Sequence, residues 1–119
     1  MALIILSAED TSKGYTAEVT VKPRFFLPGS NYYLTINAPA PRTGKRKFSL
    51  GTSGVTFETL LQLTANPEYT GIAQVTSLEF YDNGLEVKFL EGKNRPGSAS
   101  SLVARTRYIP RKRFPSIQA

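Results

Sequence analysis

The amino-acid sequence predicts a mainly β protein with one short α-helix, built as a small antiparallel barrel or a strongly curved sheet. Two observations lead to this prediction. Several segments alternate apolar and polar residues with the period of two that places every second side chain of a strand on one face. Helical spacing of apolar residues is convincing in one stretch only, and turn-forming Gly, Pro and Asn separate the alternating segments at short intervals.

Three strands, and a short stretch that resumes the sheet, are predicted in the first half of the chain. Residues 2–6 are apolar and read as a buried strand, and the alternation over residues 15–22 is the most regular in the sequence. Tyr32–Asn37 follows a Pro-Gly turn, and Phe48–Leu50 resumes a strand. Residues 38–47 combine spaced prolines with a basic run, which indicates an exposed, mobile loop.

The predicted helix covers residues 55–65, where apolar residues recur at helical spacing between a Ser or Thr N-cap and a terminating proline. Two strands follow, over residues 71–81 and 85–90. Asp82-Asn83-Gly84 joins them and contains the Asn-Gly pair preferred in type I′ hairpin turns. The apolar phase slips near Thr76–Ser77, which predicts a β-bulge there.

A last strand is predicted over residues 101–109, so that the order is β-β-β-α-β-β with an additional strand at the end. This is an OB-like strand order, in which a barrel closes enough to remove most sheet edges. A small sandwich, or a sheet capped by the helix, would give the same order. Residues 1–109 are expected to form a single β-rich domain, and residues 110–119 a basic flexible C-terminal tail.

The composition excludes most catalytic chemistry. The chain of 119 residues has no Cys and no His, which rules out thiol nucleophiles, disulfides, Cys-ligated metals and His-dependent triads. Glu79, Asp82, Glu86 and Glu91 cluster around the predicted hairpin. A hairpin tip is usually solvated, however, and no nucleophile motif accompanies these carboxylates. We therefore expect neither an enzyme nor a cofactor or metal site.

Positive charge is concentrated in two segments. The net charge of +6 divides into +4 over residues 1–47, −5 over residues 48–92 and +7 over residues 93–119. A chain that is basic only for solubility more often intermixes its signs. If the two basic segments meet in the fold, they form one cationic face opposite an acidic back. A polyanion is the partner that such a face attracts.

Nine basic residues are the candidate anion contacts. The run from residue 42 to residue 47 puts four cations on the predicted loop, where they can follow a phosphate backbone without base-specific geometry. Two arginines share one face of the predicted last strand, which suits bidentate phosphate contact and stacking on bases. The other three lie in the predicted tail. The set is Arg42, Lys45, Arg46, Lys47, Arg105, Arg107, Arg111, Lys112 and Arg113.

Four aromatic residues are the candidate stacking partners. Tyr33 takes the polar phase of its predicted strand, and Phe26 shares a phase with the basic residues that precede it. An aromatic side chain among cations on a sheet face is the expected stacking platform for single-stranded nucleic acid. Phe48 and Tyr108 complete the set. Phe48 is also predicted to point inward, and Phe26 would equally well close one end of the core.

These features predict a nucleic-acid-binding protein, with single-stranded DNA or RNA favoured and with little sequence specificity. The alternative is a structural or assembly subunit, of a virion, a ribosome-associated particle or another large complex, that docks through its basic loop and tail. A homo-oligomer is compatible with both. The apolar stretch at residues 2–6 is too short for a signal peptide or a membrane span. We therefore expect a soluble intracellular protein, in the cytoplasm or nucleoid, with no membrane partner.

Overall fold

The described part of the chain folds into two antiparallel β-sheets. The computed structural model describes residues 2–24, 30–53, 69–94 and 101–115. One sheet has the sequential order β1 to β4 and the other the sequential order β5 to β7. The strands are β1 (Leu3–Glu9), β2 (Thr16–Pro23), β3 (Ser30–Asn37), β4 (Lys45–Ser53), β5 (Tyr69–Tyr81), β6 (Gly84–Asn94) and β7 (Ser101–Pro110), and a 3-10 turn follows at Arg111–Arg113.

The prediction of a mainly β, antiparallel fold is confirmed, whereas the closed OB-like barrel is not found. Across the described ranges the two sheets stay separate, and each keeps two edge strands. Each sheet is a meander of sequential neighbours, and it hides its apolar face against the other sheet instead of closing on itself. The predicted helix at residues 55–65 lies outside the described residues. No helix in the described part is long and apolar enough to cross a membrane.

The facing sides of the two sheets share one hydrophobic core. Alternate residues of β2 and β3 meet alternate residues of β6 and the end of β7, as the period of two requires. Burial of each large aliphatic side chain stabilises the fold by about 1.5–3 kcal/mol. Those with no exposed surface are Val19, Leu34, Ile36, Leu85, Val87 and Ile109. Tyr15 and Phe114 add an edge-to-face pair with ring centroids 5.0 Å apart.

The hairpin between β5 and β6 uses Asp82-Asn83 as its two-residue turn, because Tyr81 pairs with Gly84. The prediction that Asn83-Gly84 forms the central pair is therefore wrong by one residue. Gly84 is needed for a different reason. A Cβ at this position would lie 2.5 Å from the carbonyl oxygen of Ile109, and closer still to the hydroxyl of Tyr108.

The chain after β7 packs against the sheets. Phe114 is 5% exposed and belongs to the core. The hydroxyl of Tyr15 donates a hydrogen bond of 3.4 Å to the carbonyl oxygen of Pro115. The expectation of a flexible tail is therefore wrong for residues 110–115, since the aromatic ring of Phe114 anchors them. Residues 116–119 lie outside the described residues.

Candidate nucleic-acid interface

The outer face of the four-stranded sheet carries the polar side chains that β2, β3 and β4 turn away from the core. Strand pairing aligns these side chains in rows that run across the three strands. Tyr33 and two lysines lie on the same face as a consequence. The rows, in order along the sheet, are Thr20, Tyr33 and Ser49; then Glu18, Thr35 and Lys47; then Thr16, Asn37 and Lys45.

Tyr33 and Lys47 form the centre of this face. They are diagonal neighbours across β3 and β4, and the Nζ atom of Lys47 lies 4.2 Å from the centroid of the Tyr33 ring. This separation is a close cation–π contact. Tyr33 is half-buried and Lys47 is exposed. Because a lysine carries its charge on a flexible four-carbon stem, Lys47 can leave the ring for an anion without disturbing the strand.

A shallow depression of about 280 Å³ adjoins the Tyr33–Lys47 pair. Its lining is polar and is net positive, because two ammonium groups face one carboxylate, that of Glu18. The hydroxyl and amide groups between them can donate hydrogen bonds to phosphate or sugar oxygens. The lining residues are Ala2, Glu18, Thr20, Thr35, Asn37, Lys45 and Lys47.

Three of the four cations of the predicted basic loop lie on a strand. β4 begins at Lys45, where the ladder to β3 pairs Asn37 with Lys45 and Ile36 with Arg46. The side chains of the basic run therefore alternate. Lys45 and Lys47 share the outer face, whereas Arg46 takes the opposite face, and all three are exposed.

Arg42 lies in the connection before β4, and this connection is a closed turn. The amide of Ala38 donates a hydrogen bond of 2.8 Å to the carbonyl of Gly44, and the amide of Arg42 donates one of 2.9 Å to the carbonyl of Pro39. Arg42 is exposed. The two hydrogen bonds fix the point from which its side chain projects, next to the first residue of β4.

The second basic segment reaches β4 from the other sheet. An Nη1 hydrogen of Arg107 bonds to the carbonyl oxygen of Ser49. The guanidinium of Arg113 lies 5.1 Å from the centroid of the Phe48 ring. The two basic segments of the sequence therefore meet at β4, and Arg113 is exposed there. Arg113 meets β4 on the side of the buried Phe48, which is opposite to the outer face that carries Lys45 and Lys47.

Arg105 and Arg107, the two predicted phosphate contacts on β7, are hydrogen-bonded to other groups of the protein. The Nε atom of Arg105 donates a hydrogen bond of 3.2 Å to Oε1 of Glu91, and Arg107 is bonded to the Ser49 carbonyl. Each guanidinium therefore has one of its five N–H donors and part of its charge already occupied within the protein. Arg105 and Arg107 are therefore weaker candidates than Lys45 and Lys47 of β4.

Arg111 is less exposed than Arg105 and makes more hydrogen bonds within the protein. Its Nη2 lies 3.3 Å from Oδ2 of Asp10 and donates a 3.0 Å hydrogen bond to the carbonyl of Tyr81, and its Nε donates one of 2.8 Å to the carbonyl of Asp82. Its side chain is 27% exposed and that of Asp10 is 7% exposed. The neighbouring Lys112 is exposed. Arg111 is thus placed to hold the C-terminal segment, not to meet a ligand.

The fold places the candidate aromatic residues in different surroundings. Phe48 is 7% exposed and lies in the core, so the prediction that it stacks on a base is wrong; a ring beneath the sheet cannot reach a ligand. Tyr108 is 43% exposed, but it pairs with Glu86 on the outer face of the other sheet. Phe26 lies outside the described residues. Tyr33 is the candidate that shares a face with the lysines.

The outer face of the three-stranded sheet is acidic. Glu79 and Glu86 are directly opposite each other on β5 and β6, and Lys88 approaches Glu86 at 3.6 Å. The hydroxyl of Tyr81 donates a 3.0 Å hydrogen bond to Oε2 of Glu79. This bond to a carboxylate, with smaller contributions from burial and from the charges of both glutamates, raises the pKa of Tyr81. This face, with two carboxylates and one ammonium group, is therefore an acidic back of the molecule.

Sequence reasoning missed two features of the interface. Glu18 lies in the depression among the lysines, and its position in the polar phase of β2 is the signal that would have found it. Asp10 anchors Arg111, and an Asp followed by Ser12 and Gly14 is typical of a side-chain-capped turn. Comparison of the chain with protein-family models, curated proteins and solved structures finds no match.

Proposed function

We propose that this protein binds single-stranded nucleic acid on the outer face of the four-stranded sheet, with little sequence specificity. Lys45 and Lys47 neutralise phosphates, and Tyr33 stacks on a base. The observation that carries the proposal is the 4.2 Å approach of Lys47 to the Tyr33 ring. It brings a stacking surface and a phosphate ligand together on one polar sheet face, which is the combination used by proteins that bind single strands.

Binding begins with the transfer of Lys47 from the ring to a phosphate. The face of Tyr33 is then open to an unstacked base, and such stacking stabilises a complex by about 1–3 kcal/mol per base. A duplex keeps its bases stacked inside, where Tyr33 cannot reach them, so the single strand is favoured. Every base offers a π-face, and the short side chains of Thr35 and Ser49 beside the ring provide little to discriminate among base edges.

Three further cations lie around β4 and add to its positive field, although Arg46 and Arg113 lie on the side of β4 away from the platform. Arg42, Arg46 and Arg113 are exposed and lie next to, or on, the strand that carries Lys45 and Lys47. Clustered like charges attract a polyanion before contact and raise the rate of association. Their contribution is screened by salt, because the Debye length is about 8 Å at physiological ionic strength.

A salt titration of binding to single-stranded DNA, single-stranded RNA and duplex DNA tests the proposal. The double variant Lys45→Gln/Lys47→Gln should lower the slope of log K against log salt by about 1.4, since each phosphate contact with a single strand contributes about 0.7. Tyr33→Ala should weaken binding about tenfold and leave that slope unchanged. Lys88→Gln is the matched control, since Lys88 lies on the acidic back.

A variant that is expected to bind oligonucleotides more tightly provides a second test of the proposal. Glu18→Gln removes the carboxylate from the depression, so it should strengthen binding, most clearly at low salt. Absence of oligonucleotide binding at low salt, or equal effects of the Lys88 and Lys45/Lys47 variants, would contradict the proposal. A stable protein complex that ignores oligonucleotides would instead favour the assembly subunit considered from the sequence.

A further inference from the structure

Glu18 and Lys47 lie on opposite sides of Tyr33 on the outer face of the four-stranded sheet. Tyr33 pairs with Thr20 of β2 and with Ser49 of β4. The next row of the sheet places Glu18 on β2 and Lys47 on β4. Both are diagonal neighbours of Tyr33, an arrangement in which residues are about 7–8 Å apart and long side chains still meet. The ring therefore has a carboxylate on one side and an ammonium group on the other.

This arrangement matches the two chemically different ends of a nucleotide that stacks on Tyr33. The phosphate is anionic and suits Lys47, whose Nζ atom lies 4.2 Å from the centroid of the ring. The Watson–Crick edge of the base points away from the phosphate, toward the side where Glu18 lines the depression. A carboxylate only accepts hydrogen bonds, so Glu18 favours a base whose edge presents donors.

Guanine is the base whose Watson–Crick edge presents two adjacent donors, the N1–H group and the N2 amino group. The two oxygens of a carboxylate can accept both hydrogen bonds in parallel. Adenine and cytosine offer one amino group beside an unprotonated ring nitrogen, and thymine and uracil offer one N–H group between two carbonyl oxygens. These acceptors repel a carboxylate, so the carboxylate of Glu18 suits guanine better than any other base of a single strand.

We infer that Glu18 makes the platform prefer guanine at the one base that stacks on Tyr33. The inference rests on the proposed function, because it concerns a base bound at the same site. A preference at one position leaves the other bases of the strand unread, so the sequence specificity of the protein as a whole stays low. A bidentate contact of this kind discriminates against a wrong base by about tenfold.

Short oligonucleotides that differ in one base test the inference on the wild-type protein. Oligo(dT) measures binding without guanine, and the same strand with one central dT replaced by dG should bind about tenfold more tightly. Deoxyinosine in place of that dG lacks the N2 amino group and keeps the N1–H group. It should lose most of the gain in affinity, because the second hydrogen bond to the carboxylate cannot form.

Glu18→Gln and Glu9→Gln form a matched pair of variants. Glu9 is exposed and pairs with Thr16, so it lies on the same outer face as Glu18. It is two strands and two rows away from Tyr33, a distance of about 16 Å, and cannot reach a base on the ring. Each variant removes one negative charge from this face and should strengthen binding of oligo(dT) at low salt. Only Glu18→Gln should lose the preference for dG.

The possible outcomes separate this inference from the proposed function. Binding of oligo(dT) that depends on Tyr33 and Lys47, with no gain from dG, would overturn the inference and leave the proposed function standing. A gain that survives in Glu18→Gln, or that deoxyinosine reproduces in full, would also overturn it. Absence of oligo(dT) binding at low salt would overturn both. Circular dichroism and thermal unfolding check that the two variants fold.

Discussion

Asp10 connects the two ends of the described chain. Its Oδ1 accepts hydrogen bonds from the Ser12 amide at 3.1 Å, the Ser12 hydroxyl at 2.9 Å and the Lys13 amide at 3.2 Å. Its Oδ2 faces the guanidinium of Arg111 at 3.3 Å. The same guanidinium lies 5.7 Å from the Tyr15 ring centroid and 5.2 Å from that of Phe114. One ion pair thus fastens both the first turn and the C-terminal segment.

Arg111→Ala should lower the free energy of unfolding by about 3 kcal/mol, because it leaves the buried carboxylate of Asp10 without its counter-charge. The salt slope of nucleic-acid binding should not change. Urea denaturation at neutral pH measures the first effect, and the oligonucleotide titration measures the second. Lys112→Ala is the control: Lys112 is exposed, so the variant should change stability by less than about 0.5 kcal/mol. A large fall in salt slope with unchanged stability would contradict this role of Arg111.

The stability of the protein should depend on the ionisation of Asp10. Burial by itself would raise the pKa of this carboxyl, but the hydrogen bonds from Ser12, Lys13 and Arg111 outweigh burial and hold the pKa below the ordinary value of 3.8. The folded state therefore binds the proton less tightly than the unfolded state. The resulting stabilisation is complete above the unfolded pKa and is lost as the pH falls through the folded pKa.

Asp10→Asn provides the measurement of this effect. The wild type should be the more stable protein at neutral pH, and its advantage should be constant down to about pH 5 and shrink below about pH 4. Thermal or urea unfolding of both proteins across this range gives the difference directly. An advantage that grows on acidification would have the wrong sign for a carboxyl with a lowered pKa.

At the scale of the elements, the strands with clean alternation were the predictable ones. β2 and β3 follow the period of two in sequence and in burial. The slip of apolar phase near Thr76 correctly indicated a bulge, since the ladder of β5 shifts register between Val75 and Ser77. In both cases the alternation of apolar and polar residues is local and one face of the strand is buried. The sequence therefore shows which side chains face the core and where that alternation shifts.

The start of β4 was not predictable in the same way. Lys45, Arg46 and Lys47 are all exposed, so three successive cations record no alternation, and the pattern cannot distinguish a basic strand from a basic loop. What makes them a strand is the ladder to Asn37 and Ile36 on β3, a contact between distant parts of the chain. The two lysines share a face because of that ladder.

The hydrogen-bonded arginines show the same limit for the candidate site. The period of two correctly grouped Arg105 and Arg107 on one face of β7. It could not reveal that Glu91 and the Ser49 carbonyl would occupy them, because Ser49 belongs to the other sheet. The platform residues Tyr33 and Lys47 were each identified from the sequence, while their contact depends on the pairing of β3 with β4.

At the scale of the whole molecule, the division of charge is the property most readily predicted. The described chain is elongated, 54 × 29 × 18 Å, and its two outer faces differ in sign. Lys45 and Lys47 lie on one, and Glu79 and Glu86 on the other. Glu18 offsets one lysine of the first face, and Lys88 offsets one glutamate of the second; the proposed binding of a polyanion uses the small difference in sign that remains.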